Sequence, residues 1–240
     1  MSSTQPKSAS YKYFDVMMAI FVIILVISNI ASSAKIVDLG FSLFGIRLAF
    51  DGGTLLFPLA YVMGDVLTEV YGFKSAMKAI WTGFMLLVFT ALVFYVLRTL
   101  PGENSWEIEA GTAAYDSILG GISSGGIVLA SLAGYIVGEF FNSMLLSRIK
   151  VLMMGRLFWI RAIGSSIAGE LLDSFVFVSI ACFTGVFGWH LFASLVLTNY
   201  LLKLIIEVLV LPGNYAAVHL LKKLEGVDVY DTGKKYSLFG

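Results

Sequence analysis

Six stretches of the chain are apolar and about 20 residues long, the length that an α-helix needs to cross a lipid bilayer. Hydrophobic residues make up 58% of the sequence and the mean hydropathy is +0.89, whereas ordinary soluble domains are roughly 45–50% apolar. We therefore expect an all-α membrane protein, a bundle of six transmembrane helices. The six predicted spans are 14–34, 54–72, 76–98, 124–148, 160–187 and 190–211.

The composition divides the chain into three segments. We expect a polar N-terminal tail at 1–13, a six-span domain at 14–224 and a polar C-terminal tail at 225–240. The last span could continue as an amphipathic helix past Pro212 and Gly213 to the end of the domain. These boundaries leave little sequence for a second, soluble domain.

Lysine and arginine are distributed unevenly between the predicted loops, and in membrane proteins they concentrate on the cytoplasmic side. Lys35, Arg47 and Arg98 flank the spans on one side, which also carries a long acidic loop at 99–123, and Lys203 lies within a span. The bias predicts an even number of spans with both termini cytoplasmic. The other side carries Lys7, Lys12, Lys74, Lys78, Arg148, Lys150, Arg156, Arg161, Lys222, Lys223, Lys234 and Lys235.

The segment 35–53, KIVDLGFSLFGIRLAFDGG, does not fit the pattern of the predicted spans. Its apolar runs are about six residues long, too short to cross a bilayer. A loop, a re-entrant segment and a short β-hairpin all remain open for it.

Acidic residues recur inside the predicted spans, where a charge near the bilayer centre costs at least about 2.5–3.5 kcal/mol. Such residues most often line a polar cavity or an ion path. With Lys203 as the one intramembrane cation, pairing cannot neutralise all of them, so some are protonated, hydrated or reserved for a ligand. The six acids are Asp65, Glu69, Glu139, Glu170, Asp173 and Glu207.

Helical spacing places these acids beside each other and beside other polar side chains, because positions three or four apart share a helix face. We predict an ion pair between Lys203 and Glu207, and we expect Arg156 and Arg161 to reach acids by snorkelling. Each polar residue could instead hold helices together by hydrogen bonds. The spaced groups are Asp65–Glu69, Glu139–Asn142, Glu170–Asp173 and the line Asn199, Lys203, Glu207.

Small residues also recur in these spans. Gly134 and Gly138 form a stripe that lets two helix backbones approach closely. GDVLTE (64–69) and GELLDS (169–174) occupy matching places in two three-helix halves, as in an inverted repeat around a midplane site. For so short a match, coincidence is at least as good an explanation. Tyr61 and several other aromatic residues fall near span ends, where anchoring at the membrane interface is the default interpretation.

Four segments together resemble the vitamin uptake transporter family, whose best-known members are the bacterial queuosine precursor transporters. The resemblance runs over about residues 14–222. Members of that family often have Gln where this chain has Glu139, so hydrogen bonding at that position differs here. The segments are FPLAYVMGDVLTEVYGFKSAMKAIW, GYIVGEFFNSMLLSRIK, GRLFWIRAIGSSIAGELLDSFVF and NYLLKLIIEVLVLP.

The resemblance implies an inner-membrane importer of 7-cyano-7-deazaguanine and related 7-deazapurines, which are precursors of a modified tRNA base. Such a base would bind in a polar cavity between helices, and a homo-oligomer is left open. A guanine-like base carries a ring N–H beside an amino group, and one carbonyl. A carboxylate accepts the two donors in parallel, and an amide or a cation donates to the carbonyl.

We expect Glu170 or Asp173 to accept the two hydrogen bonds from the donor edge of the base. The base's carbonyl would accept from Asn142, Asn199 or Lys203. Asp65 and Glu69 would lie on the opposite side of the cavity. The complete set of candidate substrate-binding residues is Asp65, Glu69, Glu139, Asn142, Arg161, Glu170, Asp173, Asn199, Lys203 and Glu207.

Other functions fit the sequence less well. A proton-coupled transporter of another small solute or vitamin is the nearest alternative, and facilitated diffusion is open. An intramembrane hydrolase lacks a histidine near Ser165 and Ser166, because His190 and His219 lie near span ends. No phosphate-binding G-x-x-x-x-G-K-[ST] motif is present, and zero net charge disfavours nucleic-acid binding. We therefore predict no enzymatic activity, no metal and no cofactor.

Overall fold

The computed structural model describes residues 11–43, 46–123, 125–185, 187–232 and 236–237. Helices account for most of this chain, and one β-hairpin joins the first two. The helices are α1 (Phe14–Ala34), α2 (Phe57–Tyr71), α3 (Phe73–Thr99), α4 (Asn104–Glu109), α5 (Gly111–Ser123), α6 (Gly125–Leu152), α7 (Phe158–Phe183) and α8 (Phe192–Glu225). The strands are β1 (Ile36–Leu43) and β2 (Ile46–Asp51), and short 3-10 turns lie at Gly52–Leu55 and Trp189–Leu191.

Among the described residues, five helical stretches are long and apolar enough to cross a membrane, which confirms the prediction of an all-α membrane protein. They are Phe14–Ala34, Phe73–Thr99, Gly111–Leu152, Phe158–Phe183 and Trp189–Glu225. The second predicted span corresponds to α2, a helix of 15 residues. At 1.5 Å per residue α2 is about 22 Å long, shorter than the roughly 30 Å hydrocarbon core. The count of six spans therefore stays a prediction.

Helix α2 is short because it lies inside the bundle, packed against α1, α3, α6 and α8. Every residue from Gly64 to Tyr71 is buried. Its polar groups thus meet protein rather than lipid, and a short helix of this kind is tolerated at membrane depth where it borders protein or a cavity.

Of the three possibilities for the segment 35–53, the structure shows the hairpin. The strands are antiparallel, with Ile36 opposite Asp51. Asp51 then starts the turn into α2, because its carboxylate accepts hydrogen bonds from Gly53 N (3.0 Å) and from the hydroxyls of Ser32 (2.5 Å) and Thr54 (2.9 Å). The chain is thereby fixed against α1 directly before the acidic helix α2.

The segment 99–123, expected to be a loop, is largely helical. Glu103 caps α4 by accepting from the amides of Ser105 (2.8 Å) and Trp106 (3.1 Å). Gly111, at φ +71°, lets the chain turn from α4 into α5. Asp116 in α5 accepts two hydrogen bonds from Arg98, at 2.6 and 2.8 Å. Two of the acids in this segment therefore have local structural partners.

Helices α6 and α7 pack closely along the glycine stripe, as the sequence predicts. A Cβ atom at Gly134 would lie 2.9 Å from the Asp173 carbonyl oxygen, and one at Gly138 would lie 2.9 Å from that of Gly169. These distances are shorter than real Cβ contacts, so only glycine permits this approach. The close packing brings the polar residues of α6 and α7 to the same depth.

Helix α8 continues through Pro212 to Glu225, which agrees with the predicted extension of the last span. Near its end, Glu225 accepts hydrogen bonds from the amides of Lys12 (2.8 Å) and Tyr13 (2.6 Å) and from the Tyr71 hydroxyl (2.9 Å). The start of α1 and the ends of α2 and α8 therefore meet at one end of the bundle, here called the tail side. The opposite end, which carries the hairpin, is the hairpin side. Which side faces the cytoplasm stays a prediction.

Candidate functional site

Polar side chains of α2, α6, α7 and α8 point into the bundle and form three layers between its two ends. The layers follow from helical spacing, because residues four apart on α2 and α8 lie one turn apart on the same face. From the hairpin side to the tail side we call them the hairpin-side cavity, the central carboxyl cluster and the Glu69 cluster. Asp173 and Arg161, on the first and last layers, are separated by about 18 Å along α7 at 1.5 Å per residue.

The hairpin-side cavity combines aromatic rings with charged and polar groups. Lys203 and Asp173 form a buried ion pair within it, and the Lys203 ammonium lies 5.3 Å from the centre of the Phe57 ring. The Asn199 carbonyl oxygen is buried and has no hydrogen-bond partner among the described residues. The lining residues are Asp51, Phe57, Tyr61, Ser131, Tyr135, Asp173, Phe177, Asn199 and Lys203.

The predicted ion pair between Lys203 and Glu207 is wrong, because Lys203 pairs with Asp173 instead. Side chains on a helix lean toward its N-terminus. Lys203 therefore leans toward the hairpin side, away from Glu207 and toward the level of Asp173 on the antiparallel helix α7. Glu207 accepts a hydrogen bond from the Ser166 hydroxyl instead.

Two tyrosines that line the cavity are almost fully buried. Tyr61 and Tyr135 are 1% and 2% exposed, so Tyr61 is not an anchor at the membrane interface. A Cβ atom at Gly138 would overlap the Tyr61 hydroxyl, so this glycine makes room for the ring's polar end as well as for α7. The two rings give the cavity flat apolar surfaces beside the Asp173–Lys203 pair.

The central carboxyl cluster consists of Asp65, Glu139, Glu170 and Glu207, all at most 1% exposed. Asn142 donates a hydrogen bond of 2.8 Å to Asp65 Oδ1. The Glu139 carboxyl lies against Gly64, where a Cβ atom would overlap it. The glycine before the first acid of α2 thus provides the space that the carboxyl from α6 occupies.

The Glu69 cluster surrounds one buried carboxylate with cations. Glu69 pairs with Arg161, with Lys222 at 2.5 Å and with Lys150 at 3.5 Å. Arg161 is itself fully buried and also donates to backbone oxygens before α7, those of Arg156 (3.0 Å) and Gly155 (3.1 Å). The expectation that Arg161 reaches an acid is confirmed, whereas Arg156 is exposed and contributes its carbonyl group.

The segment after α8 adds a second carboxylate to the Glu69 cluster. Asp228 lies 2.6 Å from the Lys150 ammonium and 2.9 Å from that of Lys222. Partial burial raises the pKa of the Asp228 carboxyl, but the hydrogen bonds and charges of the two lysines outweigh burial and hold it below its usual value of 3.8. Asp228 thus shares with Glu69 the charge of two lysines that the sequence places in loops.

The structure brings the candidate substrate-binding residues together along one axis but divides them among the layers. Asp173, Asn199 and Lys203 line the hairpin-side cavity; Asp65, Glu139, Asn142, Glu170 and Glu207 lie in or beside the central carboxyl cluster; Glu69 and Arg161 belong to the Glu69 cluster.

Sequence reasoning missed several contributors. Tyr135 lies four residues before Glu139 on the same face of α6, so helical spacing could have singled it out. Phe57, Phe177 and Asp51 carry no such signal, because their places depend on how the hairpin and α7 pack. Lys150 is only 2% exposed, although its position at the end of a predicted span suggested a loop charge.

In the described part of the chain, the side chains that an intramembrane hydrolase or a metal site would need are not grouped together. Ser165 donates to the Ala162 carbonyl (2.9 Å) and Ser166 to Glu207, so each hydroxyl bonds to an oxygen and not to a histidine. Within the described ranges, no three or more His, Cys, Asp or Glu side chains are grouped so that they could hold a metal ion.

Comparison with known proteins gives the class to which this arrangement belongs. Residues 51–217 match the model of the family described as "Putative vitamin uptake transporter", and the chain belongs to this family. It is a multi-pass membrane protein of a transporter family, not an enzyme.

Two relatives are each described as "Probable queuosine precursor transporter". The protein from Bacillus subtilis (strain 168) is 29% identical over 177 residues, covering 73% of this chain and 73% of the relative. The protein from Haemophilus influenzae (strain ATCC 51907 / DSM 11121 / KW20 / Rd) is 28% identical over 177 residues, covering 72% and 71%. No solved structure matches the chain.

Proposed function

We propose that the protein imports queuosine precursors, 7-cyano-7-deazaguanine and related 7-deazapurines, across the inner membrane. The names of the two relatives support the substrate class. The observation that carries the proposal is the pairing of Asp173 with Lys203 in a cavity lined by aromatic rings.

The Asp173–Lys203 pair is complementary to the polar edge of a guanine-like base. The Asp173 carboxylate can accept the ring N–H and the neighbouring amino group, while the Lys203 ammonium donates to the adjacent carbonyl. Asn199 supplies a further amide beside them. Of the two acids expected at the donor edge, we favour Asp173, because it lines the cavity and Glu170 lies in the layer below.

Aromatic rings around the pair provide the second element that a flat heterocycle needs. Proteins bind unstacked bases by placing them against aromatic side chains. Phe57, Tyr61, Tyr135 and Phe177 come from three different helices, α2, α6 and α7, so a bound ring would be held between helices. Transporters typically bind their substrates at sites between helices, and this site also lies beside the short buried helix α2.

The closed cavity has room for about one water molecule. A bicyclic base therefore enters only if the lining helices separate. Its release at the tail side requires passage through the central carboxyl cluster and the Glu69 cluster. We propose that import proceeds by such an opening, with the tail side, where most lysines and arginines lie, facing the cytoplasm. Both termini would then be cytoplasmic.

A thermal-shift screen of the detergent-purified protein tests the substrate. The compounds are 7-cyano-7-deazaguanine, its aminomethyl relative, guanine, biotin, riboflavin and thiamine. A ligand at 100 times its dissociation constant stabilises the fold by about 2.7 kcal/mol. Stabilisation by the deazapurines alone supports the proposal. A shift with a vitamin instead, and none with the deazapurines, would favour a transporter of another solute.

A further inference from the structure

The central carboxyl cluster is left without a role by the substrate site. Asp65, Glu139, Glu170 and Glu207 come from α2, α6, α7 and α8, so the cluster joins the four helices that surround the polar axis. All four side chains are buried. In the described part of the chain, none of them lies within 4.0 Å of a lysine or arginine nitrogen, whereas Glu69 and Asp173 both have cation partners.

Hydrogen bonds leave most of the cluster's oxygens without a partner. Asn142 donates to one oxygen of Asp65, and Ser166 donates to one oxygen of Glu207. Among the described residues, no hydrogen-bond donor reaches the second oxygens of Asp65 and Glu207 or either oxygen of Glu139 and Glu170. The Glu170 and Glu207 carboxyls lie close enough to hydrogen-bond to each other once one of them holds a proton. Ionised carboxylates in such surroundings are strongly disfavoured, because neither water nor a cation compensates their charge.

The four groups also face one another. Glu207 is close enough to both Asp65 and Glu170 for their charges to interact, and Glu139 to Asp65 and Glu207. Like charges so close disfavour ionisation further. The titratable groups that face the cluster from the surrounding helices are Tyr61, Glu69, Tyr135, Arg161, Asp173 and Lys203. The two cations in this set are already paired with acids outside the cluster, Arg161 with Glu69 and Lys203 with Asp173, so neither is a dedicated partner of the cluster.

The cluster lies between two cavities, one toward each end of the bundle. The hairpin-side cavity borders it through Tyr61 and Asp173, one helical turn away. On the tail side, a second cavity is bounded by Glu69, Arg161, His219 and Lys222. In the closed structure a proton on the buried cluster is therefore out of reach of water from either end of the bundle. Separation of the helices at one end would expose the cluster to water on that side.

We propose that the central carboxyl cluster binds protons at neutral pH and that solute transport is coupled to proton movement through it. When the helices separate on one side, a carboxylate of the cluster takes a proton from water. When they close again, this carboxyl group stays protonated, because an unpaired charge is strongly disfavoured in the buried cluster. Opening to the other side lets the proton leave to water there. The proton-binding part needs no assumption about the solute, while the coupling part rests on the proposed function.

Infrared spectroscopy tests the proton-binding part on the full-length purified protein without any solute. Protonated carboxylic acids have a C=O stretching band that carboxylates lack. At neutral pH the wild type is expected to show this band, and Glu139→Gln, Glu170→Gln and Glu207→Gln each to reduce it. Glu103→Gln, which removes an exposed helix-capping carboxylate, is the matched control and should leave the band unchanged. Absence of the band in the wild type, or its full retention in all three variants, overturns the proposal.

Transport in vesicles tests the coupling part. Proteoliposomes loaded with a pH-sensitive dye receive 7-cyano-7-deazaguanine, and internal pH and uptake are followed together. A pH change that accompanies uptake, and that Glu207→Gln abolishes, supports coupling. Uptake without any pH change overturns coupling while leaving the proposed substrate intact. A lack of uptake, with the infrared band present, counts against the proposed substrate and not against proton binding.

Discussion

Lys203 on α8 and Asp173 on α7 form a buried ion pair that lines the hairpin-side cavity. The pair joins two antiparallel helices at the depth where aromatic rings converge. An ion pair in this place is costly to desolvate and contributes little net stability. In the function proposed above, the pair offers a ligand an acceptor and a donor side by side.

Neutralising one member of this pair should cost more stability than neutralising both. Asp173→Asn leaves the buried Lys203 ammonium without its ion-pair partner, and we expect a loss of about 3–5 kcal/mol. The double variant Asp173→Asn with Lys203→Gln should recover most of that loss while still failing to bind deazapurine. Thermal denaturation of Asp173→Asn, Lys203→Gln and the double variant gives the interaction free energy between the two side chains. Additive losses would show that the two side chains do not interact.

Substitution by glutamine should cost much less stability in the central carboxyl cluster than in the Glu69 cluster. Glutamine resembles a protonated glutamate, so Glu139→Gln and Glu170→Gln should change stability by less than about 1 kcal/mol if those groups carry protons. Glu69→Gln leaves Arg161, Lys150 and Lys222 without their shared carboxylate, and we expect a loss of about 3–5 kcal/mol. Melting temperatures at neutral pH make the comparison, and equal losses at Glu69 and Glu139 would contradict it.

The close packing of α6 on α7 should depend on the absence of a side chain at Gly138. Gly138→Ala places a Cβ atom 2.9 Å from the Gly169 carbonyl oxygen and into the Tyr61 hydroxyl, and overpacking of this kind costs about 1–3 kcal/mol. Gly213→Ala is the matched control, since nothing lies within 4 Å of a Cβ atom there. In a helix interior this change should stabilise by about 0.5–1 kcal/mol. Equal effects at the two glycines would mean that the stripe does not control the approach.

The Asp228 carboxylate should stabilise the tail side in a pH-dependent way. Its pKa in the folded protein lies below the usual 3.8 because Lys150 and Lys222 bond to it despite partial burial. A lowered pKa contributes stability that is present above the unfolded value and is lost as the pH falls through the folded one. Asp228→Asn should therefore melt below the wild type at pH 7, and the difference should shrink as the pH falls below 3.8 and vanish once the pH is below the lowered pKa of the folded protein. A difference that persists there would point to packing instead of charge.

The sequence predicted the helices better than it predicted their partners. Helix α1 coincides with its predicted span, since a continuous apolar run specifies both its ends. Helix α2 was expected to be longer, because apolar residues before Phe57 belong to the turn from the hairpin. Spacing along one helix predicted which acids share a helix face but could not predict which cation each would meet. Lys203 and Asp173 lie 30 positions apart, and their pairing depends on how two helices pack.

Counting lysines and arginines along the sequence did not reveal which of them belong to the Glu69 cluster. Lys150 and Lys222 lie at span ends, and only the folded bundle shows that both reach Glu69. The inverted repeat suggested by GDVLTE and GELLDS stays a prediction. Both segments place a glycine against α6, Gly64 beside Glu139 and Gly169 beside Asn142. That shared contact is a physical reason for the similarity that does not require a repeat.

Calorimetric titration of the purified wild type and of the Asp173→Asn/Lys203→Gln double variant with 7-cyano-7-deazaguanine tests the central claim most directly. Asp116→Asn, which removes the acid paired with Arg98 outside the cavity, serves as the control. We predict binding by the wild type and by Asp116→Asn, and none by the folded double variant. Undiminished binding by the double variant would contradict the assignment of this pair as the site that recognises the base.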